Sequence, residues 1–371
     1  MTAEVSAGAV RKNLQRLRKR IGPGVKLCAV VKADCYGHGI DLLLETIASA
    51  ADALAVATPE EAIALRELGY GGMVLVFFSA SAFAGPAHLR DALRELIRSD
   101  ITLTIVSPEE VDSADSAAAD VGKRARVHIA IDTGMGRSGV PHDAAESLLR
   151  RVRAAENMRL EGLYTHFATA DEGDKAFCYK QLERFKAVVS QTPSSDLLLH
   201  AANSAATMDL AESHLGMIRP GLAIYGYHPS DELHNPLELT PALHLSGKLM
   251  QVKTVREGSR CGYGLTYEFR RESRIGLVPV GYGDGYFRSL SNVAKMRVCG
   301  RLVPVVGRVS MDQTIVDLTE VPSATVGDDV EIISTDPRDP HCAENLARLA
   351  GCIPYEITCR LGRRVRRVLV E

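Results

Sequence analysis

Lys26-Leu27-Cys28-Ala29-Val30-Val31 is apolar after its first residue and shows no polar alternation. A strand that reads this way is buried on both faces, as in a parallel sheet covered by helices. Upstream, Ser6 is placed to cap a helix whose apolar residues fall at Val10, Leu14, Leu17 and Ile21, a spacing of three and four. Downstream, similar runs recur at Ala53–Ala57, Met73–Phe78, Leu103–Val106, Val127–Ile131, Leu160–Phe167, Leu197–Ala201 and Met217-Ile218, and helical patterns follow most of them. Thr58-Pro59-Glu60-Glu61 and Ser107-Pro108-Glu109-Glu110 mark two helix starts, each with a cap, a proline in the first turn and acids at the positive dipole end. Eight strands in a βα series read as an α/β protein with an N-terminal (β/α)₈ TIM-type barrel. An open doubly wound sheet is the main alternative.

After about Gly226 the texture changes. Leu243–Lys253 tends towards alternation, Lys295–Val306 and Gln313–Leu318 are strand-like, and Gly281, Gly283, Gly285, Gly300 and Gly307 punctuate them as turns or bulges. Pro236 and Pro241 lie where a linker would sit. The expected division is residues 1–228 as the barrel and 229–371 as a C-terminal, mainly β domain, both of ordinary domain size.

With 44 basic and 46 acidic residues, the net charge of −2 leaves no basic excess to neutralise phosphates, so a general nucleic-acid or membrane-surface binder is not expected. No apolar run approaches the ~20 residues that cross a bilayer. Met1-Thr2-Ala3-Glu4-Val5 lacks the basic-then-apolar order of an export signal. The eight cysteines are scattered, with no C-x-x-C pair, and read as reduced, mostly buried small hydrophobes in a cytoplasmic protein. No metal site is expected from them.

In a barrel, chemistry gathers at the C-terminal strand ends, where the following loops converge. Those ends carry Lys32, Asp132 with Arg137 in the next loop, His166, Asn203 with Ser204, and Arg219. Singly, each has an ordinary reading as a loop lysine, a packing histidine or a helix cap. Together they are harder to dismiss, because burying such groups is costly unless they are paired. Lys32 leaves an apolar strand and meets the glycine-containing run Ala33-Asp34-Cys35-Tyr36-Gly37-His38-Gly39. An amine desolvated there loses its proton more easily and can attack an aldehyde to form a Schiff base. A helix start just beyond favours an anion such as phosphate. A second anion site is indicated by His200-Ala201-Ala202-Asn203-Ser204 and Arg219-Pro220-Gly221-Leu222, after the seventh and eighth strands.

Nine segments in order resemble the alanine racemase family: A-V-V-K-A-D-C-Y-G-H-G (29–39), D-T-G-M-G-R-S-G-V (132–140), T-H-F-A-T-A-D-E (165–172), A-N-S (202–204), I-R-P-G-L-A-I-Y-G (218–226), C-G-Y-G-L-T-Y (261–267), G-Y-G-D-G-Y (281–286), G-R-V-S-M-D (307–312) and P-Y-E (354–356). They span nearly the whole chain. The resemblance implies a fold-type III enzyme using pyridoxal 5'-phosphate, a cytoplasmic homodimer with active sites shared between subunits, and D-alanine production for peptidoglycan. It implies that Lys32 is the Schiff-base lysine and one acid/base group, and that Tyr263 is the opposing base, lent by the other subunit. Tyr36, Asn203, Ser204, Gly221, Leu222 and Tyr355 resemble cofactor contacts. Arg219 resembles the partner of the pyridine nitrogen, and His166 the link between Arg219 and Tyr263. Arg137 and the Met311 amide resemble the groups that orient the phenol and bind the substrate carboxylate. Tyr282, Asp171 and Tyr355 resemble parts of a narrow entrance.

Two positions depart from the family pattern. Many members carry a carbamylated lysine where this chain has Ala130, so the partner that fixes the family's arginine is missing beside Arg137. Ser310 stands where some relatives have cysteine. A serine or broader-specificity racemase of the same fold is the nearest alternative; the phenols of Tyr282 and Tyr355 favour the small alanine side chain. A non-catalytic pyridoxal-phosphate binder is the alternative from another class, and the second domain with Tyr263 and Met311 argues against it.

Overall fold

The computed structural model describes residues 1–82, 85, 88–192 and 196–371. Eight parallel strands close into a barrel: β2 (Lys26–Val30), β3 (Ala53–Val56), β4 (Met73–Val76), β5 (Ile101–Ile105), β6 (Ala125–Asp132), β8 (Met158–Tyr164), β9 (Leu198–His200) and β10 (Met217–Ile218), with the two-residue strand β7 (Val140–Pro141) laid against β6. The ring is sealed by β10 on β2 at Met217↔Lys26 and by β5 on β6 at Leu103↔Val127. The open doubly wound sheet is thereby ruled out. Every residue of β3 and β5 is buried, as expected of strands covered on both faces.

The helix starts follow from the sequence. The Ser6 side chain accepts from the Ala9 amide at the head of helix Ala7–Ile21, and Val10, Leu14, Leu17 and Ile21 form its buried stripe. Each such leucine, taken fully out of water, contributes roughly 1.5–3 kcal/mol. Thr58 and Glu61 form a reciprocal capping box ahead of helix Pro59–Glu67, and Ser107 caps helix Pro108–Val121.

The second domain is built on a six-stranded sheet containing β11 (Leu243–Lys248), β16 (Lys295–Val298), β17 (Arg301–Pro304), β19 (Asp329–Ile333) and β20 (Arg366–Val370). Smaller sheets comprise β12 (Gln251–Val255), β15 (Ser273–Val278) and β18 (Thr314–Asp317), and the ribbon β13 (Arg260–Cys261) with β14 (Tyr267–Glu268). Leu243–Lys253, read from sequence as one stretch, divides at Leu249-Met250 into strands of two different sheets. Lys295–Val306 is a hairpin turning through Cys299 and Gly300, both at positive φ (48° and 76°).

The sixth strand of the main sheet is β1 (Thr2–Ser6), which sits between β11, antiparallel, and β20, parallel. The sequence reading left these residues with the barrel; the structure places them in the other domain's sheet. Helices Ala343–Ala350 and Pro354–Cys359 also interrupt the mainly β region. No helix among the described residues is long and apolar enough to cross a membrane. The eight cysteines are all free; five are buried, Cys352 is half-buried, and Cys299 and Cys359 are exposed.

Candidate active site

A cavity of ≈ 200 Å³ opens at the C-terminal mouth of the barrel, walled by Lys32, Ala57, Phe77, Asp132, Tyr164 and Arg219 from strand ends, and by Arg137 and His166 from the loops that follow. The structure therefore brings Lys32, Asp132, Arg137, His166 and Arg219 together, as their positions after the strands predict.

Lys32 begins a turn the sequence did not foretell. Ala33, Asp34, Cys35 and Tyr36 all adopt left-handed helical geometry, with φ of 50°, 54°, 54° and 55°. For such residues the conformation costs roughly 1–2 kcal/mol each. Surrounding bonds hold it in place. Glu61 accepts from the Ala33 amide at 2.7 Å, Asp34 accepts from the Ile40 amide at 2.7 Å, and the Cys35 amide donates to Val31 O at 3.0 Å. Burial, reinforced by the positive charge of Arg137, lowers the Lys32 amine below its ordinary pKa. The amine is thus poised to lose its proton.

Arg219 is 3 % exposed, and no carboxylate among the described residues bonds to it. Its guanidinium donates to His200 Nδ1 (2.9 Å), Thr165 O (2.7 Å), Ala201 O (3.2 Å) and His166 Nδ1 (3.4 Å), and lies 5.2 Å from the Tyr164 ring centroid. Burial brings it down to about 10, so it stays cationic at neutral pH. His166 is pushed down to about 3 by burial and by Arg219, Arg137 and Lys32, and is therefore a neutral imidazole. Gln181 fixes its backbone: the amide nitrogen donates to His166 O (3.0 Å) and Thr133 Oγ1 (3.2 Å), and Oε1 accepts from the Ala168 amide (2.9 Å). The neighbouring Arg137 loop is shaped by Asp132, which accepts from the amides of Gly134 (2.9 Å) and Gly136 (3.1 Å). Ala130 is 4 % exposed and lines the cavity; no carboxylate among the described residues pairs with Arg137.

A second cluster forms around Gly221. Ser204 Oγ accepts from the amides of Gly221 (3.0 Å) and Ala223 (3.3 Å), which leaves its hydroxyl proton to donate. A Cβ at position 221 would lie 2.3 Å from the Tyr36 hydroxyl, so that phenol reaches the Gly221 backbone and only glycine admits it. Tyr355, carried by helix Pro354–Cys359 of the second domain, packs against Tyr36 with ring centroids 5.8 Å apart. The Leu222 side chain is buried and only its backbone is free to take part. Asn203 has its Oδ1 committed to capping the Ala206 amide at 2.9 Å, the ordinary role open to it from the sequence. If this cluster holds the cofactor that the resemblance implies, Gly221→Ala should weaken pyridoxal phosphate binding about tenfold or more, since Tyr36 must leave the cleft; an unchanged Kd in a fluorescence titration would remove this cluster from cofactor binding.

Tyr263, Met311 and Tyr282 do not join these residues within one chain. They are 70 %, 53 % and 44 % exposed on the second domain, with Tyr282 and Met311 drawn close by the Gly283 amide bonding to Met311 O at 2.8 Å. Asp171 is exposed and near Tyr355, where its carboxylate, after burial, helps to push that phenol up. Sequence reasoning missed Tyr164 and His128, and read His200 only as the start of an anion-binding stretch; their signal was a polar side chain inside an apolar strand, which must find a buried partner. Elsewhere, Glu331, Asp339 and His341 cluster as metal ligands can, but Arg297 bonds both carboxylates, at 3.0 Å to Glu331 and at short range to Asp339.

The comparisons agree with this geometry. Residues 5–229 match the alanine racemase N-terminal domain model and 242–369 the alanine racemase C-terminal domain model. The alanine racemase of Desulfovibrio desulfuricans is 40% identical over 373 residues, covering 100% of this chain and 98% of that one. That of Methanococcus maripaludis is 36% identical, again covering 100% and 98%. The solved alanine racemase of Clostridium difficile superposes with a TM-score of 0.91 at 35% identity, covering 100% of this chain and 95% of its own. A Bacillus anthracis alanine racemase solved with bound L-Ala-P gives a TM-score of 0.89 at 32% identity, covering 100% and 95%. With both domains matched by the family models and relatives covering its full length, this chain belongs to the alanine racemase family, whose members are isomerases.

Proposed function

We propose that the protein interconverts L-alanine and D-alanine with pyridoxal 5'-phosphate, using Lys32 of one copy and Tyr263 of a second copy as bases on opposite faces of Cα. The observation that carries this reading is the barrel mouth itself. A lysine amine with a lowered pKa shares one cavity with a buried arginine that has no acid partner among the described residues. The chain fits the cofactor: the Ser204 hydroxyl, oriented by the Gly221 amide that donates to it, and the hydroxyls of Tyr36 and Tyr355 offer donors for a phosphate, and Arg219 offers a cation for a ring nitrogen. When bound, pyridoxal phosphate supplies the electron sink that makes the Cα proton acidic.

The chain's own groups do the rest. Lys32, neutral when its proton is off, takes or returns a proton at Nζ on one face. Tyr263 does the same at its hydroxyl on the other. A free phenol has pKa ~10, so it needs positive charge nearby. Arg137 provides one such charge, and Arg219 polarises the neutral His166 towards the same phenol. Arg219 keeps its proton and does not pass it to a ring nitrogen, which tempers the electron sink and disfavours side reactions. Arg137, with the Met311 amide of the second copy, binds the substrate carboxylate. Asp171, Tyr282 and Tyr355 narrow the way in and favour a methyl side chain. The setting is cytoplasmic, supported by the free thiols, and the product serves peptidoglycan assembly.

Chiral chromatography after incubating each enantiomer of alanine and serine with protein and pyridoxal phosphate tests this reading. Alanine should racemise with the higher kcat/KM. Equal turnover of serine would favour the broader-specificity reading, to which the small Ala130 beside Arg137 lends support. Cofactor binding without racemisation of either would overturn the proposal.

A further inference from the structure

Behind Arg219 stand two imidazoles, buried and outside the cavity lining. His200 Nδ1 lies 2.9 Å from the Arg219 guanidinium, and His200 Nε2 lies 2.8 Å from His128 Nδ1. Both histidines are 0 % exposed. One arrangement of hydrogens satisfies both contacts of His200 in this row. An arginine only donates, so His200 Nδ1 must be the acceptor. The single proton of neutral His200 is then on Nε2, and His128 Nδ1 must accept it. That leaves the His128 proton on Nε2, where it has no partner among the described residues.

An unpaired buried N–H is costly, so its persistence calls for a reason. Space has also been kept for it. A Cβ on Gly162 would lie 2.8 Å from His128 Nε2, so β8 carries its glycine where the ring presses on the strand. Burial drives both imidazoles down, His128 to about 3, with Arg126 and Arg219 adding to the effect. Neither ring therefore brings a second positive charge against the guanidinium. Tyr164 completes the support: its ring stacks on His200 at 5.0 Å and 15°, and its hydroxyl lies 3.0 Å from Thr104 Oγ1.

We propose that His128 is a positioning residue that locks His200 in the Nε2–H tautomer, so that His200 always presents a lone pair to Arg219 and holds the guanidinium in place. If His200 were released, its other tautomer would set an N–H against the arginine's N–H at 2.9 Å. The guanidinium would then turn away from one of its four acceptors. This inference rests on the reading of Arg219 as the partner of the cofactor ring, and the row reaches no reacting atom itself.

Nitrogen-15 NMR of cofactor-free protein, reading the protonation of the His200 ring nitrogens, tests the lock directly. The wild type should show one tautomer, protonated at Nε2. His128→Leu removes the acceptor and should give mixed tautomers. In a titration with pyridoxal phosphate it should weaken binding about tenfold. His128→Asn keeps an acceptor oxygen near the Nδ1 position and should restore both the single tautomer and the affinity, which a space-filling role would not. Should His128→Leu fail to fold, His128→Asn decides alone, because loss of the single tautomer in it overturns the lock. An unchanged His200 tautomer in His128→Leu, or equal behaviour of the two variants, likewise overturns the proposal. A shifted tautomer with unchanged cofactor affinity upholds the lock and instead removes Arg219 from the cofactor.

Discussion

Lys32→Ala is expected to abolish the visible absorption of lysine-bound cofactor and racemisation together. In the proposed function Lys32 is the residue that holds an aldehyde covalently, and burial and Arg137 lower its amine towards the neutral, nucleophilic form. Alanine supplies neither the nucleophile nor the proton carrier on that face of Cα. The loss of turnover should reach about 10⁴-fold or more, since general acid–base catalysis alone is worth up to that. Pyridoxal phosphate should still associate, without covalent attachment, with Tyr36, Ser204 and Gly221, which the substitution leaves in place. Absorption spectra and rates of D-alanine formation give the answer. A variant that keeps the lysine-bound band would remove Lys32 from its role.

Tyr263→Phe is expected to break the symmetry of the reaction. Racemisation should fall by roughly 10²–10⁴-fold, the worth of one positioned acid or base. Exchange of the Cα proton in heavy water should survive for the enantiomer whose proton faces Lys32 and be lost from L-alanine. Unchanged exchange from L-alanine would refute the assignment. The same residue carries the claim that two copies share a site. Tyr263 is 70 % exposed and does not line the cavity of its own chain. Lys32→Ala and Tyr263→Phe chains, each inactive, should regain activity when mixed, because each mixed dimer holds one site with both bases intact. With equal mixing the recovery should be roughly a quarter of the wild-type rate, from the statistics of a two-fold pair. No recovery, with exchange of subunits verified, would show that the base does not come from a neighbour.

How much of this was written in the sequence varies with the kind of interaction. The barrel was legible because its strands are buried on both faces and read as uninterrupted apolar runs, with Thr58 and Ser107 marking the helices between them. The loop residues at the mouth followed from topology alone. What escaped was set by contacts between distant positions. Thr2–Ser6 has no pattern of its own that says which sheet it will join. The left-handed turn Ala33–Tyr36 was hidden because the eye goes to Gly37 and Gly39, while the unusual backbone falls on the four residues before them. Asn203 resembled a cofactor contact, yet its side-chain oxygen is spent on a helix cap. Tyr164, His200 and His128 form one buried polar group in space, but the sequence offers only three polar residues in three separate apolar runs.

The placement of β1 bears on how the molecule can be made. Thr2–Ser6 leave the ribosome long before their hydrogen-bonding neighbours, Leu243–Ser246 and Arg366–Val370. Ser6 and Glu371, joined by a hydrogen bond, stand 365 positions apart. The segment must therefore wait for these partners until residues 366–370 have been made, while the barrel is free to assemble behind it. Pairings of such long range are slow to form and leave strand edges open in the interval. Closing this sheet thus follows the barrel in synthesis, and it fastens an early-made strand between two late-made ones.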